Sequence, residues 1–117
     1  MRGERAFRRL AKGRSGSSKY LSVRWRETRT GEVRVGIVVS RKVGNAVVRN
    51  RVRRRLREGL LALVREHLAS GAVGTSLEPS SLDLMIIARP SAAAAGYAEL
   101  KRDLAVALQR GRVAWLA

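Results

Sequence analysis

Nine residues, Arg49 to Arg57, hold six arginines and no acid, and Arg41 and Lys42 lie just ahead of them. Side chains of this kind bind phosphate. The planar guanidinium fork makes paired hydrogen bonds to two oxygens, and its face stacks on bases. Spacing sharpens the reading. From Ala46 to Ala69 the apolar residues Val48, Val52, Leu56, Leu60 and Leu63 recur at steps of four, four, four and three, the buried stripe of an amphipathic helix. On that helix Arg49/Arg53, Arg51/Arg55 and Arg53/Arg57 are like-charge neighbours one turn apart, each pair costing about 0.2–0.5 kcal/mol. They also crowd the positive end of the helix dipole, where a cation is disfavoured by up to about 1 kcal/mol. The first acid is Glu58. A helix built this way is stabilised when a polyanion supplies the missing negative charge; solubility alone needs no such density.

Catalytic sets are scarce by comparison. The chain has no cysteine, which removes thiol nucleophiles, Cys-ligated zinc and disulfide scaffolds. Its single histidine, His67, sits beside Glu66 near the end of the long helix and reads as structural. Two-metal phosphodiester chemistry needs clustered carboxylates. Asp83, Glu99 and Asp103 are the only candidates, and with Lys101 and Arg102 close by they read as ordinary surface charge. The polypeptide is expected to cut nothing by itself. A second binding constellation is weaker. Phe7, Tyr20 and Trp25 lie among Arg8, Arg9, Lys12, Arg14 and Lys19, the usual surroundings of a stacking platform for an unpaired strand, at about 1–3 kcal/mol per base. Plain core packing accounts equally well for Phe7 and Trp25; Tyr20 is more open.

The whole charge imbalance supports a polyanionic partner. Of 117 residues, 25 are Lys or Arg and nine Asp or Glu, for a net charge of +16. Residues 1–57 carry 19 basic and three acidic side chains, and residues 58–117 carry six of each. Such a field attracts nucleic acid first and an anionic membrane surface second. Arginines on every side of the helix but the apolar stripe suit a folded RNA better than one groove of DNA, and no zinc-finger, basic-zipper or RRM signature is present. No stretch approaches the ~18 apolar residues of a membrane span. No apolar block follows the basic N-terminal residues, so a secretory signal is not expected and the cytoplasm is the default compartment.

With 45% hydrophobic and 29% charged residues, the chain reads as one globular domain, 1–117, with residues 1–4 and 112–117 as loose ends. Residues 5–12 read as a short helix, broken by Gly13 and the run Ser15-Gly16-Ser17-Ser18. Leu21, Val23 and Trp25 alternate with Ser22, Arg24 and Arg26, and Val33, Val35, Ile37 and Val39 alternate again, predicting a hairpin turned at Thr30-Gly31. Asn45 is placed to cap the long helix. Residues 70–81 are a loop or insertion. Leu82 to Arg89, apolar on both faces, predicts a central strand ended by Pro90. A last helix is expected over 97–110, with Leu100, Leu104 and Leu108 inward and Gly111 as its stop. The class is α+β.

The stretch Val39-Ser40-Arg41-Lys42-Val43-Gly44-Asn45-Ala46-Val47-Val48-Arg49-Asn50-Arg51-Val52-Arg53-Arg54-Arg55-Leu56-Arg57 closely resembles the signature of the bacterial ribonuclease P protein subunit, S-[KR]-K-x-G-x-A-V-x-R-N-R-x-[KR]-R-x-x-R. Chain size, a first helix carrying Phe7 and the strand end Ile86-Ile87-Ala88-Arg89-Pro90 are similar too. The resemblance implies a single-domain α-β sandwich with a sheet of about four strands, in the order α-β-β-β-α-β-α. It also implies a ribosomal-protein-like fold with a left-handed crossover. It implies as partners a catalytic RNA and the 5′ leader of precursor tRNA, the RNA itself carrying out Mg2+-dependent hydrolysis. Arg41, Lys42, Arg49, Asn50, Arg51, Arg53, Arg54 and Arg57 would lie against the catalytic RNA. A cleft between the first helix and the sheet, with Phe7, Lys12, Tyr20, Val23 and Trp25, would take the leader. No cofactor, metal, membrane or DNA is implied for the protein itself. The first helix departs from the family's paired aromatics, Phe7 being followed one turn on by Ala11, and Val23 stands where an aromatic is common. A structural RNA-binding protein of ribosomal type is the alternative; it would share charge and fold.

Overall fold

A computed structural model describes residues 14–28, 33–69 and 82–111. The expected helix over 5–12 with Phe7 and Lys12, the 70–81 segment and the two chain ends lie outside the described residues. Strands β1 (Arg14–Ser17), β2 (Leu21–Glu27) and β3 (Val33–Val38) precede helix α1 (Ala46–Ala69). Strand β4 (Leu82–Ala88), a 3-10 turn (Pro90–Ala94) and helix α2 (Tyr97–Arg110) follow. The four strands form one sheet in the order β1-β2-β4-β3. Neighbours are antiparallel except β3 and β4, which run parallel and are joined through α1. This is the four-stranded α+β architecture that the resemblance implies.

Two expectations fail here. Residues 15–18, read as a break, belong to β1 and its turn: Gly16 pairs with Val23 and Ser17 with Ser22. An edge strand of small polar residues shows no apolar alternation, and Gly16 has a separate reason. A Cβ there would collide with the Ala107 carbonyl oxygen and the Gly111 backbone, so glycine lets the end of α2 lie directly on the strand. The second failure is the hairpin. β2 and β3 do not pair, because β4 lies between them, antiparallel to β2 and parallel to β3. Short-range spacing favours a hairpin, but a strand apolar on both faces is shielded best when a strand flanks it on each edge, and the place between β2 and β3 provides that. The expectation that Leu82 to Arg89 is central holds, and Leu82, Leu84 and Ile86 are fully buried. Its cost falls on β3. At the sheet edge, Val33 and Val35 are left 45% and 39% exposed despite their strict alternation.

Both helices cover one face of the sheet, α2 over β1 and β2, and α1 reaching β3 and running along α2. The core between them comprises Leu21, Val23 and Trp25 of β2, Leu84 and Ile86 of β4, Val52 and Leu56 of α1, and Leu100, Leu104 and Leu108 of α2. Cap geometry sets the helix limits. The Val48 N–H donates to Asn45 Oδ1 at 3.0 Å, as the sequence predicts. Gly44 sits just before, where a Cβ would come 2.9 Å from that of Val48. At the other end of the fold, the Gly111 N–H closes α2 on the Ala107 carbonyl at 2.9 Å.

Candidate nucleic-acid interface

Helix α1 spans 24 residues, about 36 Å. Its stripe is anchored as the spacing requires: Val52 and Leu56 are fully buried, Leu60 nearly so, and Val48 and Leu63 pack against the same cluster. With that face fixed, the arginines have nowhere to go but outward and sideways. Asn50, Arg54 and Arg57 are exposed, and Arg49, Arg51 and Arg53 half-buried along the flanks. Arg41 and Lys42, both exposed, stand in the turn before the helix, pinned by Val39 and Val43, which are buried at 6% and 5% exposure. The fold thus gathers all eight of these residues on one helix and the turn that leads into it.

The first turn of α1 contains no acid. Ion pairs between described residues are Arg26–Asp83, Arg34–Asp83 and Lys101–Glu66, none involving the seven cations of this surface. Two hydrogen bonds organise it. Arg53 Nη1 donates to Asn50 Oδ1 at 3.1 Å, setting one guanidinium against the amide of the previous turn. Arg55 Nη1 donates to the Ala95 carbonyl at 2.8 Å and so ties α1 to the segment entering α2, a structural task. The Nε atoms of Arg49 and Arg51 are shielded from solvent and have no hydrogen-bond partner. Five cations on the helix, whose dipole opposes those of its first turn, and two in the turn before it, none ion-paired to a described residue, form a surface suited to a polyanion.

The second constellation does not assemble as expected. Val23 and Trp25 face the helices at 0% and 1% exposure. The Trp25 Nε1–H donates to the Gly111 carbonyl at 2.7 Å, and Arg14 lies 5.5 Å from its ring centroid. Both are core residues and present no surface to a ligand. The alternation that places an aromatic on β2 also places it on the face that α2 covers, and the strand pattern alone does not reveal which face stays open. Tyr20 remains accessible at the β1–β2 turn, with Lys19 Nζ 5.1 Å from its ring centroid.

Tyr20 is held by α2. Its hydroxyl donates to Glu99 Oε2 at 2.9 Å and its backbone N–H to Asp103 Oδ2 at 2.7 Å, while Ser18 Oγ also donates to Asp103 Oδ2. Glu99 and Asp103, read from sequence as ordinary surface charge, therefore act as the latch between turn and helix. Tyr20's hydrogen bond, followed by that of the Gly96 N–H, holds the Glu99 carboxyl below its ordinary value of 4.5. A lowered folded-state value favours the fold above the ordinary carboxylate range and loses that contribution as the pH falls through it. Tyr20→Phe is expected to return the Glu99 titration toward the ordinary range, as a carbon-detected NMR titration would read; an unmoved titration would show that the hydroxyl is not what sets it. Asp83 is not surface charge either. At 3% exposure it is paired with two arginines, a role signalled by an acid inside an otherwise apolar strand. His67 lines a crevice between the ends of the helices with Leu63, Glu66 and Leu108. Among the described residues no three His, Asp or Glu side chains gather as metal ligands, and no helix is long and apolar enough to cross a membrane.

Comparison with known proteins decides the family. The family model described as Ribonuclease P matches residues 1–112. The chain belongs to the ribonuclease P protein family. It is 47% identical over 110 residues to the ribonuclease P protein component of Thermus thermophilus, a match covering 94% of this chain and 58% of that protein. The chain thus spans less than two thirds of the length of these curated relatives. Among solved structures, the ribonuclease P protein of Staphylococcus aureus is 27% identical with a TM-score of 0.70, over 93% of this chain and 91% of that one. The protein of Thermotoga maritima, 24% identical over 97% and 96% of the two chains, shares the fold at a TM-score of 0.70. Among the described residues, the arginine-rich face of α1 is a surface whose charge the fold leaves without ion pairs.

Proposed function

We propose that this chain acts as the protein subunit of a ribonuclease P ribonucleoprotein. The cationic face of α1 binds the catalytic RNA through Arg41, Lys42, Arg49, Asn50, Arg51, Arg53, Arg54 and Arg57. The bound protein assists endonucleolytic removal of the 5′ leader from precursor tRNA. The observation that carries this reading is the arginine face without ion pairs among the described residues, in a chain of this family. Hydrolysis belongs to the RNA and its Mg2+ ions. The protein contributes phosphate contacts that lower repulsion within the complex, so the RNA needs less metal to reach its active form. Such a particle works in the cytoplasm. Of the side chains expected to meet the leader, Tyr20 is the described one with an accessible surface.

Leader removal by the host's catalytic RNA at low Mg2+ is the test. Adding the protein is expected to accelerate it by at least about tenfold, equivalent to 1.4 kcal/mol of barrier. Binding without acceleration would instead identify a structural RNA-binding protein of ribosomal type. Cleavage by nuclease-treated protein alone would place the chemistry in the polypeptide and overturn the proposal.

A further inference from the structure

Three aromatic residues lie among the described ones, and the fold accounts for two of them. Trp25 is in the core, and the Tyr20 hydroxyl is bonded to Glu99. Tyr97 is the third. At the first position of α2 it is 38% exposed. Among the described residues no cation stacks on its ring and no hydrogen bond holds its hydroxyl. An exposed tyrosine by itself signifies nothing; the place the fold gives this one does. On α1, Arg51, Arg55 and Gly59 follow one another at single-turn spacing and so share a flank. A Cβ on Gly59 would lie 3.5 Å from the Lys101 Cα, and Arg55 Nη1 donates to the Ala95 carbonyl at 2.8 Å. That flank therefore faces the start of α2. Lys101, one turn beyond Tyr97, pairs with Glu66 of α1, so the Tyr97–Lys101 side of α2 faces back. Ala95 and Gly96 are extended, which puts Tyr97 about 7 Å along the chain from the residue that Arg55 grips. Arg51, one turn before Arg55, is half-buried on the same flank, its Nε shielded and without a partner. The arginine row of α1 thus meets an aromatic ring carried by a different helix.

We propose that Tyr97 extends the RNA-binding surface of α1 onto α2, its ring stacking on an unpaired base of the RNA whose phosphates lie on Arg51 and Arg54. This inference rests on the reading that α1 binds RNA, and it adds a contact of different chemistry, uncharged and directed at a base. Folded RNAs present unstacked bases in loops and bulges, and aromatic side chains take them by stacking. The neighbouring arginines hold the backbone and so set where that base falls. Arg55 is the positioning residue of the pair of helices: its bond to Ala95 fixes the start of α2, and with it the ring, beside the arginine row.

Salt separates this contact from those of the arginines. For Tyr97→Ala, affinity for the host's catalytic RNA is expected to fall about five- to hundredfold. The log–log dependence on salt should keep its slope, because no phosphate contact is lost. Tyr97→Phe keeps the ring and is expected to bind within about twofold of the parent protein. A fully paired RNA duplex, with no base to offer, should bind the parent and Tyr97→Ala alike. Catalytic RNA held as tightly by Tyr97→Ala as by the parent overturns the inference. So does a flattened salt slope, an equal loss on the duplex, or a Tyr97→Phe variant as weak as Tyr97→Ala, which would assign the contact to the hydroxyl. Should Tyr97→Ala fail to fold by circular dichroism, Tyr97→Leu carries the test. It keeps apolar bulk without an aromatic face, and parental affinity in that variant would overturn the proposal equally. Failure of the parent protein to bind the catalytic RNA would instead sink the reading of α1 as an RNA-binding surface.

Discussion

Replacing Arg49, Arg51 and Arg54 together by alanine will cost RNA affinity while leaving the free protein at least as stable. Each charge-assisted phosphate contact contributes roughly 1–1.5 kcal/mol, so three lost contacts weaken binding by about 10²- to 10³-fold. The log–log dependence of affinity on salt should flatten by about 0.7 to 0.9 per contact. Stability moves the other way. The substitutions remove the Arg49/Arg53 and Arg51/Arg55 repulsions, about 0.2–0.5 kcal/mol each, and relieve the conflict with the helix dipole. None of the three forms an ion pair with a described residue that would be lost. Alanine matches or exceeds arginine in helix propensity. Thermal melts and titrations at three salt concentrations on the same samples measure both effects. An unchanged salt slope would remove α1 as the contact surface. A large drop in melting temperature would show that the arginines serve the fold.

Trp25→Ala should produce the opposite profile. The ring is 1% exposed in the core and its Nε1–H is bonded to the Gly111 carbonyl. Truncation forfeits about 3–5 kcal/mol of packing and strands a buried carbonyl, against a total stability of about 5–15 kcal/mol for a domain. The melting temperature is expected to fall by more than about 10 °C. RNA affinity, measured where the variant is still folded, should stay within about twofold, since a loss smaller than 0.5 kcal/mol is what a residue out of contact with the ligand produces. A base-stacking platform would behave in reverse, losing affinity at constant stability. Trp25→Phe separates the two parts of the effect, keeping most of the ring volume while removing the N–H donor.

These two residue sets also show what could be read in the chain before its fold. The arginine surface was legible because helix periodicity is a local property. Once Val48, Val52 and Leu56 define the buried side, every residue between them has its direction fixed within one or two turns. Asn45 as cap, Pro90 at the end of β4 and Gly111 as the stop of α2 are local in the same sense. For β2 the period of two separated the residues into faces correctly, yet it could not say which face would be covered or by what. Trp25 and Val23 therefore passed as surface candidates although they lie under α2.

The sequence by itself determined both helices, the strand character of β2 and β3, the central place of β4 and the outward direction of the arginines on α1. Each of these follows from the order and chemistry of side chains within a few turns. Only the tertiary structure decided that β4 separates β2 from β3, that the serine-rich segment at 14–17 is an edge strand, and that Asp83, Glu99 and Asp103 are partnered acids. Strand pairing and ion pairing join residues tens of positions apart. Their outcome depends on which arrangement flanks the most apolar strand on both edges and leaves no buried carboxylate alone, a competition among distant segments that no short stretch of sequence records.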